Sequence, residues 1–269
     1  MSSETQAWSG LERLVRRDRV IISLALGAIT LLAWVYLFHM AAEMNLAASE
    51  AARHAAMGMM MDMRAWSASN IVMLLVMWSV MMVGMMLPSA APVMLLVVGT
   101  YRRRGWQHSR LATISFLFGY LAAWTGFSLL ATLSQTALHH AALLSSAMSA
   151  NSPRLAGGIF LVAGLYQWAP WKQSCLTHCQ SPLQFLTQHW REGTWGAFRM
   201  GLHHGLFCVG CCWALMLLLF AAGVMNLIWV AAIAAFVLIE KLLPRAPILG
   251  RAAGVLMCAW GVYLLTRDS

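Results

Sequence analysis

Apolar positions in this chain do not alternate with polar ones. They gather into long blocks separated by short polar joints. Seven blocks can be drawn, at roughly 20–40, 69–98, 110–136, 154–171, 197–221, 225–242 and 249–266. Each is close to the ~20 residues that carry a helix across ~30 Å of hydrocarbon. Lone strands would leave backbone groups unpaired in lipid, so helix is the expected state of every block. The fourth block is the shortest, and six spans result if it fails to cross. Pro88 and Pro92 predict a kink or an unwound turn near the end of the second. The fold class that follows is all-α: a polytopic transmembrane helix bundle of about seven spans.

Composition supports this. The chain is 61% hydrophobic and 10% charged, against roughly 25% charged in soluble domains. No polar stretch is long enough to bury a core of its own, so no soluble domain is expected. The formal charge of +9 would suggest nucleic acid in a soluble protein. Here the basic residues sit in short joints beside apolar blocks, where topology and lipid headgroups account for them, and no nucleic-acid partner is expected. With the N-terminus on the cytoplasmic side, all but four of the 18 Lys and Arg fall on that side; the four are Arg53, Arg64, Arg154 and Arg267. Arg13, Arg16, Arg17 and Arg19 precede the first block. The polar lead is long and no small-residue cleavage site follows, which predicts a retained signal anchor. The organisation expected is a cytoplasmic segment 1–19, an anchor helix 20–40, an outer loop 41–68 and a membrane domain 66–266.

Two clusters carry candidate chemistry. In the fifth block, His203 and His204 are followed by Cys208, Cys211 and Cys212. At 100° per residue, Met200, His204, Cys208 and Cys211 fall within about 80° of one another, with Cys212 close by. Gly201 and Gly205 form a G-x-x-x-G pair that admits a close neighbour. If this helix starts near Ala197, Cys208 lies about 16 Å deep. The second cluster is Cys175, His178 and Cys179, bracketed by Pro170 and Pro182. A C-x3-C turn puts two thiolates on one face, within reach of one ion. Thiolates and imidazoles are soft ligands suited to Cu(I), Zn or an iron–sulfur centre. The competing reading is cysteine as a small buried hydrophobe. The clusters form one site only if 171–182 dips inward, as re-entrant segments do in protein-lined cavities.

Glu240 is the sole acidic residue in the blocks, and Lys241 follows it. It is a candidate metal ligand, holder of a ligating histidine or proton carrier, against the alternative of a Glu–Lys pair anchoring a helix end. Tyr166, Gln167 and Asn226 are candidates for contacts behind the ligands. There are 20 methionines. Met73, Met77, Met81 and Met85 recur every four residues, and Met57, Met59, Met60, Met61 and Met63 crowd the outer loop beside His54. Thioethers favour Cu(I) over Zn, although a helix stripe also reads as adaptable packing. His139 and His140 fall on the same outer side. There is no P-loop, no G-x-S-x-G, no G-x-G-x-x-G and no H-E-x-x-H, so a nucleotide-driven pump and a zinc protease of that type are not expected.

The stretches 78–92 (WSVMMVGMMLPSAAP), 166–182 (YQWAPWKQSCLTHCQSP) and 205–213 (GLFCVGCCW), with Met225–Asn226 and Glu240–Lys241, resemble a bacterial family of predicted metal-binding integral membrane proteins, a domain of unknown function. The resemblance covers about 66–266. It implies a multi-pass protein of the bacterial inner (cytoplasmic) membrane, and members are sometimes labelled copper chaperones.

The function expected from these residues is membrane copper handling or delivery through a Cys/His cluster. Cu(I) is the expected metal and zinc the alternative. Its ligands would come from Cys175, Cys179, Cys208, Cys211, Cys212, His204 and Glu240. The competing function is a metal-dependent membrane oxidoreductase or oxygenase subunit working with a soluble partner. A zinc-stapled structural subunit is a third. Partners are the lipid bilayer and a soluble or membrane protein. Whether the chain is an enzyme stays open.

The charge distribution generates a topology test. Reporter fusions at the two ends should report opposite sides of the membrane, with the N-terminus cytoplasmic. Both ends on one side would overturn the seven-span count.

Overall fold

A computed structural model describes residues 2–56, 68–104, 108–144, 149–243 and 246–267. Met57, Met59, Met60, Met61 and Met63 lie outside the described residues, as does the side chain of His54. Among the described residues there are nine helices and no strand: α1 Ser2–Ala56, α2 Ala68–Arg103, α3 Ser109–His140, α4 Pro153–Tyr166, α5 Pro170–Gln180, α6 Pro182–His189, α7 Gly193–Ala222, α8 Leu227–Leu242 and α9 Ala246–Thr266. The seven apolar blocks correspond to α1, α2, α3, α4, α7, α8 and α9.

Five helices (α1, α2, α3, α7 and α9) are long and apolar enough to cross a membrane. The other two blocks fall short. α4 has 14 residues and α8 has 16, giving about 21 and 24 Å at 1.5 Å per residue. The sequence alone predicts seven full-length spans; the structure has five of that length and two shorter apolar helices. The physical reason for the short fourth block is local. Gln167 and Trp168 close a turn onto Gly164 and Leu165, and Pro170 then starts a new helix at its first position, where a missing N–H costs nothing. Segment 170–189 forms two short helices with a proline at the head of each. α1 also runs on to Ala56 where a loop from Ala41 was expected. Its extension is rich in alanine, a strong helix former, and His39 pairs with Glu43 one turn on. α2 continues as helix through both Pro88 and Pro92.

Small residues set the closest packing. A Cβ on Gly201 would overlap the backbone carbonyl of Phe116, and one on Gly119 would overlap that of Phe198. α3 and α7 thus meet backbone to backbone, and theirs is the most extensive helix pair in the molecule. α4 and α9 meet the same way, through Gly157 with Gly261 and Gly164 with Gly254. Such small-residue interfaces let helices approach to backbone van der Waals contact. α1 is pinned at the arginine-rich end, where Asp18 is buried and bonded to Arg102 and Arg110. Bulky apolar side chains such as Leu31, Leu32, Val72, Leu130 and Leu256 remain exposed around the outside.

The α3–α7 seam gives a stability test. Gly201→Val should cost about 1–3 kcal/mol by overpacking, read as a lower melting temperature of the detergent-solubilised protein. Gly126→Ala on α3, which meets nothing within 4 Å, should leave it unchanged. Equal melting of both variants would disprove the seam.

Candidate metal-handling centre

α7 carries the core of the site. Cys208 lies 15 residues from Gly193 and 14 from Ala222, so it sits near the middle of a helix about 45 Å long. Cys208, Cys211, Cys212 and His204 are all buried. α5 packs along α7 and brings the other cysteines to the same level. The Cys179 thiol lies near those of Cys208 and Cys211, and so does that of Cys212. Cys175 points its sulfur at the open side of Gly210, which has no Cβ to exclude it. The two cysteine clusters, 30 residues apart in the chain, therefore share one place. All six cysteines are free, and Cys258 lies apart on α9 against Gly164.

The thiols are not gathered around one point. Cys211 and Cys212 turn their sulfurs back along α7 and donate to the Cys208 carbonyl at 3.1 and 2.9 Å. Among the described residues, no three His, Cys, Asp or Glu side chains are grouped so as to hold a metal ion. A carbonyl only accepts, so these bonds belong to protonated thiols. Deprotonation removes the donor and frees both sulfurs to rotate. Burial and the neighbouring Cys211 push the Cys175 thiol up from its ordinary value, which favours the protonated form at rest.

Charge at this level comes from lysine. Lys241, in the last turn of α8, donates to Cys208 Sγ at 2.8 Å and to Ser89 Oγ of α2 at 3.0 Å. Tyr120 of α3 contacts the same sulfur at 3.1 Å and donates to the Met86 carbonyl. Lys172 of α5 bonds both oxygens of Glu240, at 2.8 and 3.0 Å, and also the Gln167 side chain. Lys172, Glu240 and Lys241 are 1, 2 and 6% exposed. The alternative of a Glu240–Lys241 anchor is not what forms: neighbours in the chain point to different partners. Both carboxylate oxygens of Glu240 are taken by Lys172, so Glu240 stands beside the sulfurs rather than among them. α8 ends here, and α4 ends one layer away, where Tyr166 donates to the Gly210 carbonyl. Helix C-termini carry partial negative charge and favour a cation nearby.

His204 is enclosed by the rings of Phe116, Tyr120 and Phe185. Its Nδ1 is buried and makes no hydrogen bond, and the ring lies one helical turn from Cys208 on α7. Met200 instead accepts from the Arg191 backbone N–H. Met77, Met81 and Met85 are buried in the core while Met73 is exposed, which is the packing reading of that stripe. Asn226 heads α8 at the end opposite Glu240, so it plays no part at the sulfurs. Lys172, Ser89 and Tyr120 were not anticipated. A lysine set between Trp171 and Gln173 was the available signal, but by spacing alone it reads as an interfacial charge.

A model of the copper-chaperone family PpoB2 matches residues 75–264. No curated protein and no solved structure matches the chain.

The Lys172–Glu240 pair is testable apart from any metal. Glu240→Leu should destabilise by about 3–5 kcal/mol, because it strands a buried ammonium. Lys172→Met with Glu240→Leu should recover much of that loss, read as thermal unfolding in detergent. A double variant no better than the single one would show that the two groups are not coupled.

Proposed function

This chain belongs to the copper-chaperone family, and we propose that it takes up one cuprous ion at the sulfur cluster, within a membrane, and passes it on. The observation that carries the reading is the meeting of Cys179 on α5 with Cys208 and Cys211 on α7. Soft thiols gathered in an apolar interior, with the one nearby carboxylate already neutralised by Lys172, suit Cu(I) better than a hard cation. Cys175, Cys212 and the lone pair of His204 complete the donor set. Zinc would accept the same cysteines and histidine, and the copper label of the family favours copper.

Loading would proceed by exchange. The ion binds sulfur as the thiolate, so thiol protons leave as Cu–S bonds form. Cys211 and Cys212 then lose their bonds to the Cys208 carbonyl and turn toward the ion. The ammonium of Lys241 withdraws from Cys208 and keeps Ser89. Because Cys211 and Cys212 sit at rest bonded to the Cys208 carbonyl and Lys241 occupies Cys208 Sγ, the full set of ligands assembles only when the ion arrives, and release reverses the same steps. That arrangement fits a carrier that must let go of its ion. The acceptor would be a protein partner, soluble or membrane-bound. The exposed apolar surface and the arginine-rich end support a location in the bacterial cytoplasmic membrane.

Cys179→Ser and Cys208→Ser should each remove most of the copper bound by the reduced, purified protein, measured by elemental analysis. Loss of about half in each would mean two independent sites. A wild-type protein that takes up no Cu(I), or prefers Zn in competition, would end the copper reading.

A further inference from the structure

Three histidines outside the sulfur cluster converge from three helices: His178 of α5, His189 of α6 and His203 of α7. The rings of His189 and His203 lie 4.6 Å apart between centroids, and His178 lies 6.3 Å from His189. Phe207 sits among them, stacked on His178 at 4.2 Å and tilted against His203 at 4.6 Å. None of the three is fully buried. His189 and His203 line an open cavity of about 490 Å³, together with Arg191, Arg199 and Met200.

Two of these rings are already oriented. His178 Nδ1 lies 2.8 Å from the Ser174 carbonyl, and His189 Nδ1 lies 3.2 Å from the Phe185 carbonyl. A carbonyl only accepts, so each Nδ1 carries a proton, and Nε2 is the ring nitrogen left to face a ligand. Metal-binding histidines are commonly held this way, one nitrogen on a backbone carbonyl and the other free for the ion. Position adds to this. His203 precedes Cys208 by five residues on α7, about 7.5 Å of helix rise and about 140° around the axis, and its neighbour His204 lies one turn from Cys208. The cavity opens beside Arg191 and Arg199.

We infer that His189 and His203 form a transfer site for a cuprous ion between the open cavity and the buried cysteines, with His178 as a third nitrogen reached by ring rotation. The inference rests on the copper reading above. Imidazole suits copper, and two nitrogens hold it less firmly than several thiolates. A passing ion must bind well enough to enter and weakly enough to leave.

The full chain in detergent, reduced and offered Cu(I), provides the test. In a background with Cys175, Cys179, Cys208, Cys211 and Cys212 all changed to Ser, Cu(I) kept in excess should be retained weakly, lost on desalting, with imidazole scattering in its X-ray absorption spectrum. Adding His189→Gln and His203→Gln should weaken that retention about tenfold. With the cysteines intact, the same histidine changes should slow copper loading while leaving the final content unchanged. His189→Gln alone, on the cavity wall, should show both effects in smaller measure if the double change disturbs folding. Absence of imidazole-bound copper in the cysteine-depleted protein overturns the inference, and so does retention or loading unaffected by the histidine changes. A wild type that holds no copper on its cysteines would defeat the proposed function and leave the imidazole result to be read separately.

Discussion

Burying an ammonium group is the constraint around which this molecule is arranged. A lone cation in a low-dielectric interior costs many kcal/mol, and only direct partners offset that. Lys172 and Lys241 are both buried, and each has its own answer: Glu240 and Gln167 for the first, Cys208 and Ser89 for the second. These partners come from α2, α4, α7 and α8. Satisfying two lysines therefore fixes where four helices stand relative to one another, and the sulfurs lie where those helices meet.

Short helices follow from the same requirement. A helix that crossed the whole bundle at α4 or α8 would carry its last turn past this level. Instead both stop beside it. α4 is turned by Gly164 and Leu165 accepting from Gln167 and Trp168, and α5 restarts at Pro170 in a direction that lays Cys175 and Cys179 along α7. α8 stops one residue after Lys241. The negative ends of two helix dipoles then lie near a place that already holds a cation.

The glycine seams make this closeness achievable. Backbone contact between α3 and α7 at Gly119 and Gly201 brings Tyr120 within reach of Cys208. The α4–α9 seam holds Gln167 against Gly250 and Gly254, beside Glu240. A bulkier residue in either seam would move a polar partner away from its cation as well as lose packing. Stability and the chemistry of the site are thus tied to the same few positions, and the histidines at the arginine-rich end, on half-buried ring faces, are the part left freer to exchange a ligand.

Much of this was legible in the sequence. Apolar blocks of the right length could only be helices, and the all-α class follows from the unpaired backbone that any other state would leave in hydrocarbon. Helical period put His204, Cys208 and Cys211 on one face, and the C-x3-C spacing put Cys175 and Cys179 on another. The chain alone did not decide whether those faces meet. That depended on where α4 stops, which hangs on a single turn at 167–169, too short to show in block length. It also did not decide the partner of Glu240. The adjacent Lys241 is the obvious choice by sequence, but neighbours on a helix point about 100° apart. Only the packing of α5 against α7 and α8 gave the carboxylate to Lys172 and the ammonium of Lys241 to Cys208.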